Sequence, residues 1–444
     1  MTPSTTSLLT DLYELTMTQA YLAHNMTGEA VFEFFVRKLP TRRNFFMAAG
    51  LEQVLSFLEQ FHFSEGDLAW LEERGRFPPE TLIAFRAMRF TGDVHAMPEG
   101  TVFFPHEPIL RITAPLPQAQ LVETRVMNLL NFQTMVASKA CRCILAASGK
   151  PLIDFGLRRS HGAEAGLLAA RASYLAGFAG TSNVLAGAQF AIPTYGTMAH
   201  SFVQAHRDET TAFLHIAQSQ PHHVVLLIDT YDTEAAAERV VMLAPELKRQ
   251  GIAIHGVRLD SGDLGAHARK VRHILDRGGL EETTILASGN LDEERIEALV
   301  TSGAPIDRFA VGTAMTTSAD APYLDCAYKL QEYAGRPCRK RSEGKATWPG
   351  RKQVYRQLGP DGRLAQDTIT VEGDTLPGRP LLRQVMEGGR RLAPSPSILE
   401  IRDRTRLALS ELPDTLGQLD QAEPYEVRIS GALERLAQQV DRYT

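Results

Sequence analysis

From residue 224 onward the chain alternates short apolar runs with longer stretches whose apolar residues recur at helical spacing. Residues 224–229, 252–259, 284–287 and 309–311 read as strands, and 233–250, 265–277 and 292–300 between them read as helices. Continuous apolar strands separated by helices of about ten or more residues predict parallel β/α units. The same grammar begins earlier, with a short strand at 152–155 and a helix at 162–175. In such units the residues just after each strand belong to one face, where chemistry is placed.

Outside this repeat the pattern is different. Residues 7–24 and 47–61 read as helices, 29–36 as a strand rich in Phe and Val, and 98–117 as strands and turns punctuated by proline. Residues 119–148 carry a long helical pattern broken only around Phe132. After Tyr333 the repeat stops. A basic stretch at 336–356, β-prone residues at 368–371 and a final amphipathic helix within 424–443 predict an α+β tail that packs on the N-terminal region.

Composition narrows the picture. With 444 residues the chain is long enough for a barrel and an accessory domain, and 44% hydrophobic residues support a large core. A net charge of -5 gives no reason to expect nucleic acid as a partner. Residues 1–9 lack the charged and apolar regions of a secretory signal, and no apolar run approaches the roughly 20 residues of a membrane span. A cytoplasmic protein with no membrane partner is expected. The cysteines, Cys141, Cys143, Cys326 and Cys338, fit neither a zinc motif nor a disulfide framework and are expected to be reduced.

The candidate chemistry gathers at strand ends. Asp229-Thr230-Tyr231-Asp232, the run from Arg258 to Asp263, Ser288-Gly289-Asn290 and Gly312-Thr313 each follow an apolar strand. Asp, Ser and Gly also serve as helix caps and turns. Four such clusters in register nevertheless point to a site. His200 lies just upstream, after Gly196-Thr197-Met198-Ala199, where small residues leave room around the imidazole. It can be a nucleophile toward phosphorus if a neighbour fixes its tautomer, and Asp229 is the expected orienting carboxylate. The alternative is a histidine that merely starts a helix. Arg158 and Arg159 follow the strand ending Asp154-Phe155-Gly156 and suit phosphate, though a solvated ion-pair site is the competing reading. Phe155 is either core or a stacking face for a flat substrate. There is no Walker A loop, no acidic pair followed by Thr-Gly and no His-Glu-x-x-His motif.

Taken in order, these motifs resemble the nicotinate phosphoribosyltransferase family. The likeness runs through residues 9–17, 34–40, 131–134, 154–159, 180–187, 196–200, 229–232, 257–262, 311–313 and 340–345. It implies an irregular TIM-like β/α barrel with an α+β domain formed by the N- and C-terminal segments. The implied segments are 1–118, a barrel over 119–330 and 331–444. It also implies that nicotinate and phosphoribosyl pyrophosphate give nicotinate mononucleotide and pyrophosphate, coupled to ATP hydrolysis with Mg2+. In that reading His200 is transiently phosphorylated and Asp229 pairs with it. Arg158 and Arg258 grip phosphates, Asp260 sits by the ribose and magnesium, and Gly289 and Gly312 let backbone amides approach the product phosphate; Arg159, Ser261, Ser288 and Thr313 are further substrate-binding candidates at the same strand ends. Phe155 stacks on the pyridine ring. Tyr13 and Arg37 are implied to reach across a homodimer interface into a shared site. Ser182 stands where the related nicotinamide enzyme has an aspartate; a carboxylate there would repel nicotinate and a serine does not. The residue pattern implies no full set of metal ligands.

Three rivals make different predictions: a nicotinamide enzyme of the same fold, a barrel that binds a phosphometabolite without turnover, and a lyase using Asp229 or Asp260 as base without ATP.

Overall fold

The computed structural model describes residues 6–443. Residues 1–5 and 444, which the expected terminal segments include, lie outside the described residues. The chain divides into two compact units, one built from residues up to 138 together with those from 321 onward, the other from residues 139–320.

The terminal unit is α+β, and neither end of the chain completes it alone. Its main sheet has seven strands in the order Arg336–Pro337, Cys326–Tyr333, Glu29–Val36, Leu110–Pro115, Asp93–Ala96, Arg383–Glu387 and Arg390–Arg391, and all pairings are antiparallel. Glu29–Val36 is central because both faces are apolar: Ala30, Val31, Phe34 and Val36 have no exposed surface. Phe34 pairs with Tyr328 on one side and Leu110 on the other, so N- and C-terminal segments share one hydrogen-bonded ladder. The one charge within that strand's buried stretch, Glu33, is neutralised by Lys352 at 2.8 Å. A second sheet, Arg379–Pro380, Lys352–Leu358, Leu364–Val371 and Val427–Ile429, comes entirely from the C-terminal segment.

The other unit holds six parallel strands: β1 Leu152–Asp154, β2 Gly180–Thr181, β3 Val224–Leu227, β4 Ile254–Leu259, β5 Thr284–Ala287 and β6 Arg308–Val311. They lie in the order β2-β1-β6-β5-β4-β3 in a curled, barrel-like sheet. The intervening helices are α1 Ala163–Ala176, α2 Val184–Phe190, α3 His200–Gln204, α4 Glu209–Ser219, α5 Thr233–Arg249, α6 Leu264–Arg277, α7 Glu293–Thr301 and α8 Thr313–Thr316. In α6 the buried residues Leu264, Ala268, Val271 and Leu275 repeat at helical spacing, which leaves its Arg and His residues on the outer stripe. An aspartate precedes each of α5, α6 and α7. The side chains of Asp232, Asp263 and Asp292 accept from backbone N–H groups at 2.8, 3.0 and 2.9 Å. Some of the polar strand-end residues are thus caps, and the rest are free to face the site. After His200, α3 stops at Gln204 and Asp208 caps α4.

Candidate functional site

The site is assembled from the C-terminal ends of β3, β4 and β5 with the loop before α3. Arg258, the fifth residue of β4, is only 8% exposed and spends its guanidinium on four partners. Nε donates to Ser288 Oγ at 2.8 Å, Nη2 to Asp260 Oδ1 at 2.9 Å, and Nη1 to Thr197 Oγ1 at 3.1 Å and the Met198 carbonyl at 3.2 Å. One side chain therefore ties the ends of β4 and β5 to the His200 loop. Its guanidinium carbon also lies 5.5 Å from the centre of the Phe155 ring, and that ring rests on Ile153, Leu286 and Ala310. Phe155, Tyr195 and Thr197 border a cavity of about 50 Å3 inside the curled sheet.

Asp260 is the electrostatic hub. Its Oδ1 accepts from Arg258 and from Ser288 Oγ at 2.6 Å, and its Oδ2 lies 3.6 Å from His200 Nε2. Burial alone would raise its pKa. The Ser288 hydroxyl, the Arg258 charge and His200 outweigh that and hold the carboxyl below its ordinary value. It is a carboxylate at neutral pH.

His200 opens α3 with its ring partly exposed. Its Nδ1 is 3.1 Å from Thr230 Oγ1. The orienting partner thus differs from the expectation. Asp229 Oδ2 instead accepts from the Asp260 backbone N–H at 2.8 Å and Ser261 Oγ at 2.6 Å, and neither contact involves the imidazole. The reason is the parallel ladder: β3 and β4 end side by side, so the first carboxylate past β3 meets the N–H groups turning away from β4. Asp229 Oδ1 is buried without a hydrogen-bond partner. Thr230 had a place in the sequence motif but no assigned role; a hydroxyl one residue from an expected carboxylate carries no periodic signal.

Gly289 is required by close approach. Its φ is +93°, and a Cβ there would fall 1.9 Å from the Asp260 carbonyl oxygen. The loops after β4 and β5 touch backbone to backbone at this point. Gly312 precedes α8, Thr313 is the exposed first residue of that helix, and the Phe155 N–H donates to the Val311 carbonyl at 2.9 Å.

At the ends of β1 and β2, Asp154 is buried. Its carboxylate accepts from the Gly156 N–H at 2.8 Å and Thr181 Oγ1 at 2.7 Å, which fixes the turn carrying Phe155. Burial pushes its pKa up to about 6, against the lowering effect of the Thr181 and Gly156 hydrogen bonds. No role was assigned to Asp154 from sequence, although a carboxylate closing an apolar strand is the available signal. Arg158 and Arg159 lie exposed on a single 3-10 turn, and Ser182 follows β2 half-buried, its N–H donating to the Asp154 carbonyl at 2.8 Å.

Tyr13 and Arg37 belong to the terminal unit. Tyr13 is exposed, and its phenol is pushed up by burial of part of the ring and then by Glu123, Glu14 and Asp11. Arg37 pairs with Asp325 at 2.8 Å. Lys139 and Arg142 enclose Glu293: Arg142 Nε donates at 2.8 Å, and Lys139 also reaches Asp320 at 2.9 Å. That buried cluster ties α7 to residues 139–142. Among the described residues no group of three or more His, Cys, Asp or Glu could hold a metal by itself, and no helix is long and apolar enough to cross a membrane.

Family models match the chain in three stretches. The nicotinate phosphoribosyltransferase N-terminal domain covers residues 8–131, the family's main domain 151–336 and its C-terminal domain 373–437. A nicotinate phosphoribosyltransferase of Mycobacterium tuberculosis is 50% identical over 436 residues, covering 97% of this chain and 94% of that one. The chain belongs to the nicotinate phosphoribosyltransferase family. The Bacillus subtilis nicotinate phosphoribosyltransferase is 39% identical over 79% of this chain and 73% of its own length. The crystal structure of human nicotinic acid phosphoribosyltransferase superposes with a TM-score of 0.87 at 29% identity, covering 98% of this chain and 100% of that one. The main-domain match spans the whole Arg258, Asp260, Ser288 and His200 network, so the family likeness and the polar cluster coincide.

Proposed function

We propose that this enzyme joins nicotinate to the ribose of phosphoribosyl pyrophosphate in NAD salvage, releasing pyrophosphate, with ATP hydrolysed through a phosphorylated His200. The observation that carries the reading is the Arg258–Asp260–Ser288 network beside His200 at the ends of adjacent parallel strands. The pyridine nitrogen donates its electron pair to the anomeric carbon as the carbon–oxygen bond to pyrophosphate breaks, and that bond's pair leaves with pyrophosphate. Positive charge grows on the sugar and negative charge on the leaving group. The Asp260 carboxylate suits the first, and Arg258 with the exposed Arg158 and Arg159 suits the second. Phe155, backed by core and fixed by Asp154, offers a flat face for the ring. Ser182 brings no charge that would repel the nicotinate carboxylate, which favours nicotinate over nicotinamide.

In the coupling step His200 Nε2 attacks the γ-phosphorus of ATP and ADP leaves; water later cleaves the N–P bond and releases phosphate. A Thr230 hydroxyl accepting from Nδ1–H would leave the lone pair on Nε2, the ring nitrogen on the Asp260 side of the site. Mg2+ would be held beside Asp260, as the family likeness implies, with the unpartnered Oδ1 of Asp229 next to it, and would neutralise phosphate charge. Tyr13 and Arg37 are proposed to act across a homodimer interface, as the family likeness implies. A cytoplasmic location fits four cysteines that are all free.

Incubation with γ-labelled ATP should leave a base-stable, acid-labile label on the wild type and none on His200→Asn. That variant should still form product slowly without ATP. Label persisting on His200→Asn would overturn the phosphohistidine, and a preference for nicotinamide in steady-state competition would overturn the substrate.

A further inference from the structure

A cavity of about 220 Å3 lies wholly within the terminal unit and shares no residue with the barrel network. Its walls are the turn at residues 98–101, the segment 379–383 and the helix Ile398–Ser410 with Glu411 after it. Gly100 lets the turn close against the helix: its φ is +84°, and a Cβ would sit 2.7 Å from Thr405 Oγ1. Four guanidinium side chains line the space, those of Arg356, Arg379, Arg383 and Arg404, against the single carboxylate of Glu411.

Two of these charges are already used. Arg356 is held by Asp367, with Nε 2.9 Å from Oδ1, and Arg379 is forked onto Glu411 at 2.8 and 3.3 Å. The other two are not. Arg404 Nη1 donates at 2.7 Å to the Glu99 carbonyl, a neutral acceptor, and neither Arg404 nor Arg383 makes an ion pair among the described residues. Burial and then the neighbouring Arg383 charge hold the Arg404 guanidinium below its ordinary range. Burial and Arg383 outweigh the opposing pull of Glu99, Glu400 and Glu52 on Arg404, and two like charges at one cavity, neither in an ion pair, are a cost that an anion removes. Leu381, Leu407 and Pro380 complete the wall, and such apolar surroundings strengthen the attraction.

We infer that this cavity binds a small phosphate-bearing anion between Arg383 and Arg404. Paired guanidinium forks match the several oxygens of a phosphate. The volume is below the roughly 300 Å3 at which pockets for drug-sized ligands begin, so a compact anion fits and a nucleotide does not. The site is independent of the transferase reading, which rests on other residues.

The test is calorimetric titration of the full chain with inorganic phosphate and, separately, glycerol 3-phosphate, with potassium chloride holding ionic strength constant. Arg383→Gln should weaken one binding class about tenfold, the loss of one charge-assisted contact, and leave turnover unchanged. Arg258→Gln should spare that class and disturb only phosphate binding at the barrel. Arg383 is exposed and makes no ion pair, so its variant should melt with the wild type in chloride; Arg404→Gln is the second variant. Binding of both probes identifies a bare oxyanion site, and binding of glycerol 3-phosphate alone identifies an ester site. Isotherms that do not change in either arginine variant overturn the inference.

Discussion

Arg258 in the barrel unit and Arg356 in the terminal unit are both buried guanidinium groups, and they are held in opposite ways. Arg356 has almost no exposed surface; Nε and Nη2 lock onto one carboxylate, Asp367, and Nη1 onto the Val102 carbonyl at 2.8 Å. Burial would lower its pKa, but Asp367 raises it further, so the charge is permanent and fully committed. Arg258 is spread over two hydroxyls, one carbonyl and one oxygen of Asp260, and it lies within reach of the Phe155 face. A guanidinium that saturates one carboxylate holds a fold together. One shared among hydroxyls at strand ends can exchange partners with a substrate phosphate.

The comparison breaks most visibly at Arg356. Arg356→Ala leaves Asp367 buried with no counter-charge and should destabilise the protein by about 3–5 kcal/mol, read as a lower urea midpoint or loss of soluble protein. Arg258→Gln should instead fold, with kcat/KM down about 100-fold or more, as for removal of a donor to developing charge.

A second test uses pH. Asp154 has a folded pKa of about 6 against an ordinary 3.8, so the folded state binds its proton more tightly than the unfolded state. Its contribution to stability is therefore most favourable below about pH 4 and falls as pH rises toward 6, by about 3 kcal/mol in total. Urea midpoints at pH 4, 5, 6 and 7 should show that fall in the wild type relative to Asp154→Asn. Parallel curves would remove Asp154 as the buried titrating group.

Gly289→Ala should cost about 2 kcal/mol from the strained φ alone and also displace the Asp260 carbonyl, lowering kcat more than the melting temperature. The smallest effect is expected at Thr230. Thr230→Val removes the acceptor at His200 Nδ1 and should slow phosphorylation by about tenfold at most, while Thr230→Ser should restore it. Labelling rates for the two variants distinguish a positioning hydroxyl from mere packing.

Much of this site was legible in sequence because strand ends announce themselves. The apolar runs ending at Asp229, Arg258–Asp263, Ser288 and Gly312 fall at β3, β4, β5 and β6, and the residues after them meet on one face. What pattern could not assign was which polar residue caps a helix and which faces the site. Asp232, Asp263 and Asp292 cap; Asp229 and Asp260 do not. All are aspartates within a few residues of a strand end, so composition and spacing treat them alike. The arginine cavity of the terminal unit was invisible for a related reason. Gly100 lies far upstream of Arg383 and Arg404, and only the shared sheet and the turn packed on the helix Ile398–Ser410 bring them together.

The sequence by itself determined the β/α alternation, the strand at 29–36, the strand-end clusters and the family likeness, because periodicity and local turn chemistry are properties of neighbouring residues. Only the tertiary structure decided that Thr230 rather than Asp229 meets His200, that Asp260 joins Arg258 and Ser288, and that the two chain ends share one sheet. Those outcomes depend on which strands lie side by side and on how deeply each charge is buried, and both are set by contacts between residues far apart in the chain.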